Sequence, residues 1–249
     1  MDWHYEIQGQ GKPIVMIHGG GCDSRDWSYL APLLANHYQV ITFDARGCGQ
    51  SPPPSETVNY VTDVVRFLDS LSLDKAVLIG HSLGGQIATE AALAYPERVQ
   101  ELVLIAPTLA GFAQSPDVLA SFQAIQEAAP DIARMTDLVV TSSSYSVIKD
   151  SPQRELLRAM TDHNIRVLFG RPSFNVVWPT PPAIERLHNL QARTLFVRGT
   201  RDHEDNVTIE NHFRRVENIQ FVAIEGGDHM LNLTHSDQLY PEIVAFLGD

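Results

Sequence analysis

The chain predicts an α/β fold, a mostly parallel, doubly wound sheet of about seven to eight strands that carries a helical insertion. Three observations point to it. Short runs made wholly of apolar residues, such as Ile14-Val15-Met16-Ile17 and Leu102-Val103-Leu104-Ile105, read as strands buried on both faces, the mark of a parallel sheet. Through Pro107 these runs alternate strictly with stretches of helical spacing, the order of a sheet wound with helices on both faces. The alternation then stops and does not resume until Arg193. The chain therefore divides into a core, residues 1–107 and 191–249, and a helical insertion, residues 108–190.

With 249 residues, 44% hydrophobic and 19% charged, the chain can build one substantial core with an insertion and does not require two separately folded domains. Its net charge of −12 repels nucleic acid and anionic membrane surfaces at long range, so neither is expected as a partner. The start, Met1-Asp2-Trp3-His4-Tyr5-Glu6, has no basic segment followed by an apolar stretch, so no secretory leader is expected. No apolar run approaches the roughly 18 residues of a membrane span. Cys22 and Cys48 make no disulfide framework and suit a reducing cytoplasm, where a monomer or homodimer is expected.

In chain order, residues 3–9 alternate enough to be an edge strand, and Gly9-Gln10-Gly11-Lys12-Pro13 turns into the apolar run at residues 14–17. That run ends in His18-Gly19-Gly20-Gly21, where glycines let the backbone come close to a bound group. Residues 26–36 read as a helix and 38–43 as the next strand. The loop Asp44-Ala45-Arg46-Gly47-Cys48-Gly49-Gln50-Ser51 follows. A dinucleotide loop would need a third glycine where Pro52 stands, which excludes a Rossmann cofactor site. Asp44 and Arg46 read as a structural pair bracing this loop, and His18 as a structural hydrogen-bonding residue. Residues 59–71 carry Val61, Val64, Val65, Leu68 and Leu71 at spacings of three and four, one buried helical face.

Ala76-Val77-Leu78-Ile79 then breaks into Gly80-His81-Ser82-Leu83-Gly84-Gly85 and continues as a helix through Tyr95. A serine between strand and helix, with glycine two residues away on each side, fits a turn too sharp for a Cβ at Gly80 or Gly84, with the hydroxyl lifted clear of the sheet. Residues 99–106 form another buried strand. The insertion is helical in pattern and broken by Pro116, Pro130, Pro152, Pro172, Pro179, Pro181 and Pro182. The sheet pattern returns at residues 193–199, a helix is read over 206–216, a strand over Ile219–Ile224, a glycine-loosened turn through Met230, and a closing helix over Ser236–Leu247.

A serine hydroxyl needs an adjacent base near neutral pH, and that base needs an anion to hold its tautomer and its charged form. The chain offers Ser82, Asp202 and His229 in that order, each just past the carboxyl end of a predicted strand, where an open α/β sheet places its site. Glu204 and Asp205 stand close enough to Asp202 to compete as the acid. His203-Glu204-Asp205 makes no HExxH metal motif, since position 207 is Val207, and no His-x-His or CxxC occurs, so no metal and no cofactor are expected.

With GxSxG at a strand-to-helix junction, His18-Gly19-Gly20-Gly21 and the Asp44-to-Ser51 loop, the chain resembles the α/β-hydrolase superfamily over essentially its whole length. The resemblance implies Ser82 as nucleophile, His229 as base and Asp202 as acid, since the family's acid falls three residues after a strand-ending glycine, as Asp202 follows Gly199. It implies an oxyanion hole from the backbone N–H groups of Gly20 and Leu83, with Gly19 and Gly21 lining the substrate site. The insertion resembles the superfamily's helical cap, whose Phe112, Phe122, Met135, Tyr145, Phe169, Phe174 and Trp178 are pocket candidates; of these Phe112, Phe174 and Trp178, with Met230, are taken as substrate-binding. His81 is read as structural. Asp228 stands where relatives commonly have glycine, either raising the pKa of His229 or simply exposed.

A serine nucleophile implies a small apolar acyl substrate: an ester, thioester or lactone, or the carbon–carbon bond of a vinylogous diketone. The glycine loop followed by Trp27 resembles carbon–carbon hydrolases of ring-cleavage pathways, but those often carry proline where this chain has Cys22 and tryptophan where it has Met230. An esterase is therefore preferred, with the carbon–carbon hydrolase second and a small-molecule receptor that retains the triad third.

Overall fold

A computed structural model describes residues 2–54, 57–170 and 174–248; Met1 and the insertion's Pro172 lie outside them. One sheet contains β1 (Tyr5–Gln8), β2 (Pro13–Ile17), β3 (Gln39–Phe43), β4 (Ala76–His81), β5 (Val99–Ile105), β6 (Arg193–Gly199) and β7 (Ile219–Ile224). The strand order is β1-β3-β2-β4-β5-β6-β7. β1 pairs antiparallel with β3, and every other pair is parallel. The helices in chain order are α1 (Ala31–Leu34), α2 (Tyr60–Ser70), α3 (Leu83–Ala94), α4 (Pro116–Glu127), α5 (Ile132–Val140), α6 (Arg154–Phe169), α7 (Ala183–Arg186), α8 (Glu204–Phe213), α9 (Leu231–Thr234) and α10 (Ser236–Leu247). Among the described residues no helix is long and apolar enough to cross a membrane.

The apolar runs divide by the twofold period of a strand. Val15, Ile17, Leu78, Leu102, Leu104 and Phe196 enter one core with Val64 and Phe67 of α2, Ile87 of α3 and Phe213 of α8. Their neighbours Ile14, Met16, Val77, Ile79, Val103 and Val197 enter the other with Leu34 of α1 and Leu239, Ile243 and Phe246 of α10. Every residue of β4 is buried, so the central strand is sealed on both sides. At about 1.5–3 kcal/mol for each large aliphatic side chain buried, these two faces dominate what holds the sheet.

The helix read over residues 26–36 is instead a 3₁₀ turn, Ser24–Trp27, followed by the short α1. Pro32 sits in the first turn of α1, where its missing N–H costs nothing, whereas a helix running through it would lose a bond and clash. At the other end, α8 starts at Glu204, two residues before the predicted start, so Asp205 lies inside its first turn.

α4 to α7 lie between β5 and β6. A third apolar cluster joins them to the sheet's loops: Val140, Ile148, Leu157 and Met160 pack with Cys22, Met230 and Leu233. Polar contacts add to it. Asn164 of α6 accepts from the Gly49 N–H at 2.8 Å and donates to Asp23 at 2.7 Å. In α3 the buried Glu90 accepts from the Ala183 N–H and pairs with Arg186, fixing α7. Asp44 and Arg46 brace their loop, but not as a pair. Asp44 accepts from the N–H groups of Ser24 and Gln50, while Arg46 forks onto Asp63 of α2 at 2.7 and 2.8 Å. His18 is likewise held, its Nε2 accepting from the Ala45 N–H at 3.0 Å.

Candidate active site

Ser82 stands between β4 and α3 at φ 51°, ψ −117°, a backbone region that residues with a side chain rarely occupy. The flanking glycines make this turn possible. A Cβ at Gly80 would lie 2.4 Å from the Gly84 carbonyl oxygen, and one at Gly84 2.0 Å from that of Ile17. Both are closer than any real Cβ contact, so the elbow closes only with glycine at these two positions.

The turn brings Ser82 to His229, which lies in the loop after β7. Ser82 Oγ is 3.0 Å from His229 Nε2, and His229 Nδ1 is 3.2 Å from both carboxylate oxygens of Asp202. Asp202 follows β6; its side chain is almost wholly buried and also accepts the His203 N–H at 2.8 Å. Burial works to raise its pKa, but the charge and hydrogen bond of His229, with His203 behind, hold the carboxyl below its ordinary range. His203 itself is pushed down, first by burial and then by His229, against the pull of Asp202. Its ring centroid is 5.3 Å from that of His229.

The rival carboxylates are elsewhere. Glu204 is exposed, and Asp205 is buried with an oxygen accepting the Ser115 N–H at 3.0 Å, at the entrance to the insertion. Asp202, His203 and His229 could converge on a metal, each offering one atom within 4.8 Å of the others. The Nδ1 of His229 and the carboxylate of Asp202 are already bonded to each other, however, so an ion there would break that contact.

Gly20 and Leu83 are adjacent, since a Cβ at Gly20 would touch the Leu83 side chain at 3.5 Å. Among the described residues neither backbone N–H donates to a protein acceptor. The Gly19 N–H is engaged by Asp26 at 2.9 Å, and Gly21 takes φ 72°. Of the pocket candidates, Met230 is fully buried within the third apolar cluster. Phe112 and Trp178 pack on the first core cluster, with Phe112 edge-on to His212, and Phe174 is half-buried. Phe122 and Phe169 are about half exposed. Tyr145 brings an aromatic ring of the insertion to 6.3 Å from that of His229. Burial, and then the nearby Cys22, Asp26, Asp228 and Asp202, push its hydroxyl pKa far up.

Two features were not legible in the sequence. Asp228 is fully buried rather than exposed, and accepts from the N–H groups of Val147, Ile148 and Met230 at 2.7, 3.0 and 3.0 Å. It clamps the insertion to the loop that carries His229. His81 and Asp26, 55 positions apart, form a buried pair at 2.8 Å. No local pattern marks a partner so distant; the one available signal is a polar residue in an otherwise apolar buried strand.

The charges set an acid limit on stability. Asp202, Asp26 and Asp23 are each held below the ordinary 3.8, against burial, by His229, His81 and Arg25 respectively. A depressed carboxylate contributes stability above its unfolded value and loses it as pH falls through the folded one. Two histidines oppose each other nearer neutrality. His81, raised above 6.5, contributes below that value and loses its contribution as pH rises, while the lowered His203 acts the other way. The melting temperature is therefore expected to fall steeply only below about pH 4. Calorimetry from pH 7 to pH 2.5 checks this, and an unchanged transition below pH 4 would contradict it.

The sequence model of a family described as "Alpha/beta hydrolase family" matches residues 14–242. A protein of Synechocystis sp. with a provisional non-heme chloroperoxidase name is 29% identical over 276 residues, covering 99% of this chain and 95% of that one. The pimeloyl-[acyl-carrier protein] methyl ester esterase of Photobacterium profundum is 41% identical over 106 residues, 41% of this chain and 39% of the esterase. Among solved structures, the enol-lactonase from Burkholderia xenovorans LB400 superposes with a TM-score of 0.81 at 19% identity, covering 99% of this chain and 96% of that one.

Proposed function

The chain belongs to the alpha/beta hydrolase family, and on that premise we propose that it is a serine hydrolase cleaving a small carboxylic ester, lactone or thioester through an acyl-enzyme. The observation that carries this reading is the continuous hydrogen-bonded line from Ser82 to His229 to Asp202, at 3.0 and 3.2 Å. His229 Nε2 takes the Ser82 proton as Oγ attacks the carbonyl carbon. Buried Asp202 holds the Nδ1–H tautomer and stabilises the imidazolium that forms. The tetrahedral oxyanion is received by the amides of Gly20 and Leu83. As the intermediate collapses, His229 gives its proton to the leaving alcohol or thiol, and water then repeats the attack on the acyl group.

Residues 108–190 serve as a cap over a core of residues 1–107 and 191–249, and set the acyl preference. Tyr145 stands beside the base, its ring 6.3 Å from that of His229, and Asp228 holds Val147 and Ile148 just beyond it. An apolar and aromatic cap over Ser82 would favour short to medium apolar acyl groups. The methyl ester esterase and the enol-lactonase carry names consistent with this bond class.

The test is a turnover panel of p-nitrophenyl esters, lactones, thioesters and dienoates, run beside a fluorophosphonate probe read by intact mass. Soluble short esters or lactones are expected to turn over, and one probe is expected to add per chain, at Ser82. Labelling that survives Ser82→Ala overturns the serine mechanism. Cleavage confined to the dienoates would replace the ester reading by a carbon–carbon one.

A further inference from the structure

The histidine beside the nucleophile holds two acceptors at once. His81 Nδ1 lies 2.8 Å from Asp26 Oδ2, and Nε2 lies 2.9 Å from the backbone carbonyl oxygen of His229. A carboxylate and a carbonyl only accept, so both ring nitrogens must donate, and a histidine with two N–H groups is an imidazolium. The pair is shut away from solvent, with side chains 2% and 0% exposed. Asp26 is satisfied on both oxygens: Oδ2 also accepts the Gly19 N–H at 2.9 Å, and Oδ1 accepts from Asn232 at 2.8 Å. Trp27 closes the pocket edge-on to His81 at 6.4 Å.

What this pair joins is more telling than its strength. A buried ion pair adds little net stability over a well-packed apolar pair of the same volume, so stability alone does not account for it. Gly19 immediately precedes Gly20, His81 immediately precedes Ser82, and the carbonyl bound by His81 is that of His229 itself. The loop bearing the oxyanion donor, the nucleophile and the base thus meet at one ion pair. We propose that Asp26 and His81 are positioning residues: a charged, buried pair that sets the oxyanion loop and the base relative to Ser82.

The proposal rests on the serine-hydrolase reading and deepens it. The groups that face His81 are Asp26, Asp202 and His229; those that face His229 are Asp202 and His203 after β6, His81 on β4, Asp228 beside it and Tyr145 from the insertion. Burial works against the charge on His81, and Asp26 more than offsets it, which keeps its proton above the ordinary histidine range. With His81 cationic and Asp26 anionic, the two charges act in opposite senses on His229. Losing only the cation leaves an anion that favours protonated His229.

The experiment compares His81→Asn, Asp26→Asn and the double variant with the unmodified protein, by kcat, KM, the pH profile of kcat/KM and the rate of fluorophosphonate labelling. His81→Asn is expected to lower kcat and the labelling rate by about 10- to 100-fold, as an ångström-scale misplacement does, with KM within about threefold. The acid limb of kcat/KM should move to higher pH in His81→Asn and return toward its original position in the double variant. The double variant should be no slower than the worse single one, since the two residues act as a unit.

A merely structural pair would lower the melting temperature and leave the limb where it was, and that result overturns the proposal. ¹⁵N NMR of histidine-labelled, unmodified protein supplies a readout that needs no variant. An imidazolium with both nitrogens protonated should persist above the pH at which an ordinary histidine has lost its proton. Finding every histidine neutral at pH 7.5 overturns the proposal, even if the variants fail to fold. If the unmodified protein is not labelled at Ser82, the serine reading falls and this inference with it. Normal labelling with an unshifted limb removes this inference alone.

Discussion

Ser82→Ala is expected to lower kcat on the order of 10⁶-fold, the scale on which a triad enzyme depends on its nucleophile, while leaving the fold and the binding of substrate in place. The physical reason is that no other group can take its role. Alanine has the same Cβ and can occupy the strained turn at φ 51° as serine does, so Gly80 and Gly84 still close the elbow. What disappears is the oxygen 3.0 Å from His229 Nε2. A residual rate above that of water, from the Gly20 and Leu83 amides and from binding, should remain. Steady-state kinetics on the best substrate of the panel, with the melting temperature beside them, decide the matter. Retention of more than about 1% of kcat would show that Ser82 is not the attacking group.

Asp202→Asn should cut kcat by up to about 10⁴-fold, with the fold retained and the melting temperature lowered by loss of the buried contact with His229. The amide presents an NH₂ where the carboxylate accepted the Nδ1–H, so it either turns the histidine to the wrong tautomer or fails to stabilise its charge. Asp205→Asn makes the contrast. Its carboxylate is buried against the Ser115 N–H, so its replacement should cost about 1–3 kcal/mol of stability with kcat nearly intact. Measuring both quantities on both variants separates the roles. An inactive Asp205→Asn beside an active Asp202→Asn would move the acid one helical turn on.

How much was legible follows from the range of each interaction. The sheet was readable because strand burial is written in consecutive residues. Ile14-Val15-Met16-Ile17 and Leu102-Val103-Leu104-Ile105 need no partner to declare that both their faces are covered. The elbow was readable for the same reason, since a turn that excludes Cβ must show glycine at fixed offsets from the serine. Where a boundary depended on competition between neighbours, local reading failed. Residues 26–36 have helical character, yet Pro32 restarts the helix and Asp26 turns inward to Gly19, His81 and Asn232.

By itself, then, the sequence determined the winding of the sheet, the strained turn at Ser82 and the chain order of serine, aspartate and histidine, because each is encoded in the spacing of residues along a few turns of chain. Only the tertiary structure decided that Asp228 is buried as a clamp on the insertion, that Asp205 holds Ser115, and that His81 pairs with Asp26 while donating to the carbonyl of His229. These are charges and hydrogen bonds between segments from 55 to 148 positions apart. A charged side chain reads as solvent-exposed until folding removes its water, and its partner is then whichever group the packed sheet brings within 3 Å.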